Sequence, residues 1–306
     1  MIPVNSYMPV FDMKRFVIRV LFIAVIICGV DKMIGAGLSY LDKTSRVKTG
    51  TGYIMNKVNH DILVFGSSRA YRHYDTRIIT DSLGLSCYNC GKSGQGFIYN
   101  YALLRVLMEK YTPNLIIYDF YPTADLAYGD NTRYITDLRP YRKEKGVMDI
   151  IVDVDPSEKY KTISSMYCYN YICNEIILNY FRPNSGEKSI NGFVSTKKIF
   201  NPQKTKTIVP PRDSVDSLKL KYAEKFIQLA KNTKFVIVIS PYWDFHDFEY
   251  VRKAKELADK YSVPFYDFSS NKDFAHNNEY FFDTIHMNDK GAERFTNELV
   301  KQIVLN

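Results

Sequence analysis

Short apolar runs alternate with amphipathic stretches along most of this 306-residue chain. Five of the runs are typical of buried parallel strands, and they lie at 62–65, 86–89, 115–119, 234–239 and 263–267. Stretches with apolar residues at helical spacing lie at 76–83, 99–110, 218–231, 248–261 and 290–304. The alternation predicts an α/β fold with a flavodoxin-like, doubly wound parallel sheet of five strands in the order 2-1-3-4-5.

An apolar run also precedes this pattern. Residues 16–30 are apolar except for Arg19, and Lys14 and Arg15 stand before them. We therefore predict that residues 1–38 form a signal anchor with an N-terminal transmembrane helix. A cleaved signal peptide and a buried core helix are the alternatives. Basic residues on the N-terminal side predict a cell-membrane protein with a single span, whose remaining chain lies outside the cytoplasm.

Two other stretches fall outside the α/β alternation. Residues 39–59 are rich in Lys, Thr, Gly and Asn and are predicted to be a tether. Residues 60–306 then form the α/β domain, which is interrupted between its third and fourth strands by a large insertion at 123–215. One helix is predicted at 163–180, and the insertion as a whole is interpreted as a cap, a binding loop or a partner surface.

The charge of the chain is moderately basic, with 41 Lys and Arg against 33 Asp and Glu. The basic residues are spread along the sequence and form no block typical of nucleic-acid binding, so no nucleic-acid partner is expected. The surplus is interpreted as solvated surface, with attraction to anionic lipid or polysaccharide as the alternative.

The cysteines and glycines bear on cofactors. Cys28 lies in the predicted anchor, and Cys87, Cys90, Cys168 and Cys173 lie outside it, where they form either buried free thiols or disulfides. No second Cys-x-x-Cys or paired His completes a metal site, so no metal is predicted. No Gly-rich phosphate loop follows a strand at the required spacing, so no cofactor is predicted.

Candidate chemistry lies at two places that are far apart in sequence. Ser67 and Ser68 follow the first strand, where ligands gather in open α/β sheets. Asp283 and His286 stand three positions apart just before the last helix. Together these residues supply a nucleophile, a base and a carboxylate to orient the base, as acyl transfer through serine requires.

These motifs resemble those of the SGNH (GDSL-like) hydrolases and acyltransferases, in which Gly-Asp-Ser follows the first strand and Asp-x-x-His precedes the C-terminal helix. In this register Ser68 takes the nucleophile position, while Asp283 and His286 take the other two. The stretch 89–96 resembles a middle motif of the family, and Gly94 falls at its oxyanion-hole glycine. The resemblance therefore implies that the amides of Ser68 and Gly94 form the oxyanion hole.

One motif of the family is not matched, and the resemblance covers about 60–121 and 233–304. After the third strand the family usually has Gly-x-Asn-Asp, whose Asn donates to the oxyanion, whereas this chain has Pro122 at the Asn position. Proline has no side-chain donor. Two further residues are weaker candidates for substrate contact. Arg69 orients an anionic donor, lends charge to the oxyanion in place of the missing Asn, or forms a surface ion pair. Trp243 either supports a sugar ring or packs as an aromatic.

The expected protein is thus a membrane-anchored serine esterase or O-acyltransferase. Its expected substrate is an O-acyl group, taken as acetyl, on an extracytoplasmic glycan or an acylated small molecule, with a membrane acyl-donor protein as a further partner. An esterase of lipids or small esters is one alternative. The other is a non-catalytic binding or assembly protein of an envelope polysaccharide system.

Overall fold

A five-stranded parallel sheet forms the centre of the computed structural model, which describes residues 12–183, 187–202, 215–244 and 248–305. The strands are β1 Ile62–Gly66, β2 Cys87–Asn89, β3 Leu115–Asp119, β4 Ser189–Ile190, β5 Phe193–Val194, β6 Lys234–Ile239 and β7 Phe265–Asp267. The sheet has the order β2-β1-β3-β6-β7, and β4 pairs with β5 as a separate antiparallel hairpin. The predicted α/β class and five-stranded parallel sheet are confirmed.

Helices connect the strands and flank the sheet. They are α1 Met13–Thr44, α2 Gly50–Lys57, α3 Ser68–His73, α4 Thr76–Leu83, α5 Phe97–Met108, α6 Pro122–Leu126, α7 Val147–Val154, α8 Glu158–Lys161, α9 Ser165–Tyr169, α10 Cys173–Phe181, α11 Ser217–Ala230, α12 Phe248–Lys260 and α13 Asp289–Leu305. Side chains cap several of them, as Asp75 does for α4 and Asp216 for α11. Gly84 ends α4 with a φ of 66°, a left-handed conformation that glycine adopts readily.

Helices cover both faces of the sheet, which gives the domain two hydrophobic cores. Successive side chains of each strand alternate between these two cores. Leu63 and Phe65 of β1 point into the core shared with α5 and α11. Ile62 and Val64 point into the core shared with α4 and α13. All four are fully buried, which explains why the strand reads as a continuous apolar run.

The insertion contains more structure than its sequence predicts. The helix expected at 163–180 is wrong, since α9 and α10 are separate helices with a break at 170–172. The hairpin of β4 and β5 was not predicted, because two-residue strands carry no periodicity. Residues 184–186 and 203–214 of the predicted insertion lie outside the described residues.

The chain before β1 is also more regular than predicted. Residues 39–44 belong to α1, and α2 occupies most of the rest of the predicted tether, with Ile54 and Met55 buried in the core. Within the described ranges, no helix combines the length and apolarity needed to cross a membrane. Residues 1–11 of the predicted cytoplasmic segment lie outside those ranges.

The middle of α1 is attached to the insertion. The Asp31 carboxylate accepts hydrogen bonds from the Ser164 hydroxyl and from the backbone N–H groups of Ser165 and Met166, at 2.6 to 2.9 Å. Gly35 is buried against Ser165, where a Cβ atom would come within 2.3 Å of the serine Cβ. This contact leaves the first half of α1 extending away from the domain with its side chains exposed.

Candidate active site

The end of β1 sets the position of the first candidate residue. Gly66 has a φ of 142°, and a Cβ atom there would come within 2.7 Å of the Asp119 carbonyl oxygen. Only glycine fits this close approach of β1 and β3. The Ser67 hydroxyl accepts the Arg69 N–H at 3.3 Å and thereby caps α3, which begins at Ser68. Ser67 is therefore engaged in the turn, whereas Ser68 presents its hydroxyl beyond the strand.

The second set of candidate residues lies on a closed loop before α13. Phe281 and Met287 pair as an antiparallel bridge, so the chain between them folds back on itself. Inside the loop, Asp283 Oδ1 accepts the N–H groups of Ile285 and His286 at 2.9 and 2.8 Å. The carboxylate is therefore fixed relative to the imidazole by the backbone of its own loop.

The structure brings these two sets of residues together. Ser68 Oγ lies 2.7 Å from His286 Nε2, and His286 Nδ1 lies 2.8 Å from Asp283 Oδ2. With the Nδ1 proton donated to the carboxylate, Nε2 carries the lone pair that accepts the serine proton. The three side chains thus form a hydrogen-bonded Ser-His-Asp chain joining positions 218 residues apart.

The surroundings of Asp283 favour its ionised form. Burial alone would raise the pKa of the Asp283 carboxyl, but the His286 side chain and the two backbone N–H donors outweigh burial and lower that pKa. The Phe282 ring stacks on the His286 imidazole with centroids 5.3 Å apart and an interplanar angle of 9°. Phe282 thereby limits the orientations that the imidazole can adopt.

Gly94, the glycine that the resemblance assigns to the oxyanion hole, lies on the loop that follows β2. Its φ is 69°, in the left-handed region that favours glycine. Its carbonyl oxygen accepts two hydrogen bonds from Arg133, from Nη2 at 2.5 Å and Nε at 3.2 Å. Within the described ranges, neither the Ser68 N–H nor the Gly94 N–H has a hydrogen-bond partner. Both amides are thus available as donors to a ligand.

The loop after β3 provides no side-chain donor at the position where the resemblance expects one. Pro122 is instead the first residue of the short helix α6. Asp125, one turn later, accepts hydrogen bonds from the Tyr118 hydroxyl and the Tyr121 N–H, both at 2.8 Å. Burial raises the pKa of Asp125 to about 7 against the lowering effect of these two donors.

Arg69 is fully buried, so the predicted surface ion pair is wrong. Its predicted roles toward an anionic donor and the oxyanion stay predictions. Its guanidinium lies 3.6 Å from the centroid of the Tyr242 ring and donates to the Ser240 carbonyl at 2.5 Å and to the Ile285 carbonyl at 3.2 Å. Its Nε lies 3.8 Å from the buried Asp119 carboxylate. Arg69 thus connects α3 to β3, to the end of β6 and to the His286 loop.

His73 is a buried residue of α3 that sequence reasoning missed. Its Nε2 accepts the Met287 N–H at 3.0 Å, and its Nδ1 lies 2.8 Å from Ser240 Oγ. Nε2 therefore carries the lone pair, and Nδ1 carries the proton that is donated to the serine. Burial lowers the pKa of His73 well below its usual value, with the Arg69 charge adding to the effect, so the ring is neutral.

Trp243 lies beyond β6 at the carboxyl edge of the sheet, as predicted. The indole N–H donates to Asn278 Oδ1 at 2.8 Å, and the ring makes edge contacts with Phe200 and His276. These contacts are those of a packed, half-buried aromatic.

A pocket of about 300 Å³ is lined by residues that are close in sequence to Ser68 and Gly94, although neither of those residues lies in its wall. Its wall includes Tyr71, one turn after Ser68 on α3, and Ser93, directly before Gly94. It also includes Glu187, which forms two hydrogen bonds of 2.7 and 2.8 Å with Arg72. Glu187 was missed because it lies in the insertion, where no motif marks it.

Of the two predicted states of the cysteines, free thiols and disulfides, the structure has free thiols. All five cysteines are unpaired, and Cys87, Cys90 and Cys168 are buried. Burial raises the pKa of the Cys90 thiol well above its usual value, so it does not supply a reactive thiolate.

Comparison with known proteins adds no assignment: no family model matches the chain, and no curated protein matches it. The case for a function therefore depends on the geometry. That geometry joins a serine hydroxyl, an imidazole and a carboxylate of lowered pKa by two hydrogen bonds. Such an arrangement is suited to transfer of an acyl group through serine.

Proposed function

We propose that the protein is a serine-dependent esterase or O-acyltransferase that acts on O-acetyl groups of an extracytoplasmic glycan. The observation that carries the proposal is the continuous hydrogen-bonded chain from Ser68 through His286 to Asp283, with distances of 2.7 and 2.8 Å. The resemblance of the same residues to the SGNH motifs supports it independently of the distances.

In the proposed reaction, Ser68 Oγ attacks the acyl carbonyl carbon and its proton passes to His286 Nε2. The negative charge that develops on the carbonyl oxygen is stabilised by the N–H groups of Ser68 and Gly94. The ester C–O bond then breaks, and His286 returns the proton to the leaving alkoxide, which leaves the acyl group on Ser68. Water or a sugar hydroxyl attacks this acyl-enzyme with His286 as base, so the acyl group is released or transferred and Ser68 is restored.

Asp283 keeps the imidazole in the required orientation throughout. It stabilises the imidazolium that forms when Ser68 loses its proton, because a carboxylate with a lowered pKa stays ionised. The 300 Å³ pocket with Tyr71 and Ser93 in its wall is the proposed site for the alcohol part of the substrate. Its volume is at the lower end of the range of about 300 to 1,000 Å³ found for small-molecule sites.

We further propose that the first half of α1 attaches the protein to a membrane and that the domain lies outside the cytoplasm. Apolar side chains in this half are exposed all round the helix, including Phe16, Leu21, Phe22, Val25 and Ile27 at 50 to 69%. A helix that is apolar on every side favours a lipid environment over a single protein contact. A reporter fused after the last residue should be active only when exported, and activity in the cytoplasm would contradict this location.

A second candidate function is a non-catalytic binding or assembly protein, which the absence of a donor at Pro122 favours. Acyl transfer separates the two. The purified protein, incubated with an O-acetylated oligosaccharide, should release acetate or pass the acetyl group to an unmodified oligosaccharide. Free p-nitrophenyl acetate should turn over slowly, because one oxyanion donor typically contributes a few kcal/mol to the transition state. A protein that binds the oligosaccharide without changing its acetylation would be the binding protein instead.

A further inference from the structure

A cavity of about 740 Å³ lies beside the end of α1. Its wall is built from the last turn of α1, the linker 45–49, one side of α2, and Ile176 and Asn179 of α10. The volume falls well inside the range of about 300 to 1,000 Å³ found for sites that bind small molecules. The cavity is separate from the Ser68 site and contains none of its residues.

The charge in this wall is strongly unbalanced. Lys43, Arg46, Lys48 and Lys57 contribute four cations, whereas Asp42 is the only carboxylate among the described residues of the wall. Within the described ranges, none of the four cations forms an ion pair or a side-chain hydrogen bond with the protein.

The carboxylate of Asp42 is itself already engaged. The Tyr141 hydroxyl donates to Asp42 Oδ2 at 2.7 Å, and Gly52 makes room for this pair, since a Cβ atom there would come within 2.4 Å of the carboxylate. Burial raises the pKa of Asp42 and the negative charge of Glu175 adds to the increase, whereas the Tyr141 hydroxyl and the charges of Lys92 and Lys43 oppose it. Asp42 can offset at most one of the four positive charges, so the wall keeps a net positive charge.

All four cations are exposed, and a helix end accounts for the position of only two of them. Lys43 and Lys57 lie in the last turns of α1 and α2, where a positive charge stabilises the helix end. Arg46 and Lys48 lie in the linker between these helices, where no helix end needs them. Like charges around one concavity repel each other, and a ligand with negative charge would offset that repulsion.

We propose that this basic cavity binds an acidic glycan through its phosphate or carboxylate groups. The cavity neighbours the 300 Å³ pocket, since Thr49 lies in the wall of both. That pocket also has Tyr71 and Ser93 in its wall. An extended chain with its acidic unit in the cavity would thus bring a neighbouring sugar toward Ser68. Only this last step rests on the proposed function, because binding in the cavity does not require catalysis.

The test is calorimetric binding to the full chain in detergent, carrying Ser68→Ala so that no turnover interferes. The probes are an oligogalacturonate, inorganic tripolyphosphate and a neutral malto-oligosaccharide. At least one of the two anions should bind, and the neutral sugar should bind much more weakly. The double variant R46Q/K48Q should weaken the binding roughly tenfold or more, and each single variant should weaken it by less.

A matched control removes the same charge elsewhere. Lys272 and Lys301 are exposed and distant in sequence, so K272Q/K301Q should change the affinity by no more than about twofold. Binding of oligogalacturonate alone would identify carboxylate as the recognised group, and binding of tripolyphosphate alone would identify phosphate. The proposal is overturned if neither anion binds, if the neutral sugar binds as tightly, or if both double variants weaken binding equally. Loss of acyl transfer with intact anion binding would remove the proposed function and leave the cavity assignment in place.

Discussion

The Met287 N–H donates to His73 Nε2 at 3.0 Å, so the helix that begins at Ser68 also holds the loop that carries His286. A second bond from the same helix, from Arg69 to the Ile285 carbonyl at 3.2 Å, holds the other side of that loop. The peptide groups on both sides of His286 are therefore tied to α3. The distance between nucleophile and base is set by one short helix rather than by two independent loops.

We predict that His73→Ala lowers kcat for acyl transfer roughly 10- to 100-fold with little change in KM. The Met287 N–H would lose its acceptor, and small misplacements of a catalytic group have effects of this size. His73→Gln keeps an acceptor for that N–H and should recover part of the rate. Steady-state kinetics well below the unfolding temperature check this prediction. A purely structural role for His73 would lower the unfolding temperature in both variants and leave kcat unchanged.

We predict that Arg133 affects the rate of acyl transfer because it fixes the orientation of the Gly94 peptide group. Because Arg133 is the side chain that binds the Gly94 carbonyl, Arg133→Gln should let the oxyanion amide turn away. We expect kcat to fall roughly tenfold, less than the roughly 100-fold or greater loss when an oxyanion donor is removed. Arg252→Gln, at an exposed arginine on α12, is the matched control. Equal kinetics for wild type and Arg133→Gln would show that Gly94 needs no such support.

Asp125 should make the stability of the fold depend on pH. Burial raises its pKa to about 7 in the folded protein, above its value in the unfolded chain. The folded state then binds more protons than the unfolded state between these two pKa values, so the contribution of this group to stability falls as the pH rises toward 7. Asp125→Asn cannot ionise and should lose that part of the pH dependence. Each unit of pKa shift corresponds to about 1.4 kcal/mol, so the effect is expected to be a few kcal/mol.

Urea unfolding of wild type and Asp125→Asn at about pH 5 and about pH 8 measures this difference directly. The wild type should lose more stability between the two conditions than the variant. Parallel pH dependence in both proteins would mean that Asp125 is not protonated in the folded state near neutral pH.

The sheet could be predicted from sequence because each buried parallel strand is a continuous run of apolar residues. The runs that became β1, β3 and β6 are continuously apolar, and the helices beside them have clear periodicity. The Ser68, His286 and Asp283 triplet could be proposed because its two halves follow recognisable motifs. The hairpin of β4 and β5 and the break between α9 and α10 have no comparable hydrophobic pattern in the sequence.

The support around the candidate site could not be predicted, because its partners are remote in sequence. Arg69 bonds to Ser240 across 171 positions, and His73 bonds to Met287 across 214 positions. From sequence alone, a charged residue such as Arg69 that follows a serine motif is expected to lie on the surface. The burial of Arg69 depends on Asp119, Ser240 and Tyr242 converging on it, and only the folded sheet brings these residues together.

The central claim is that Ser68 is the nucleophile and that Ser67 caps the helix. Labelling with a fluorophosphonate probe, followed by peptide mass analysis, tests it most directly, because the probe reacts with an activated serine hydroxyl. We predict that wild type and Ser67→Ala are labelled on Ser68, that Ser68→Ala is not labelled, and that His286→Ala is labelled far more slowly. An unlabelled wild-type protein, or a label that survives Ser68→Ala and disappears in Ser67→Ala, would contradict this account.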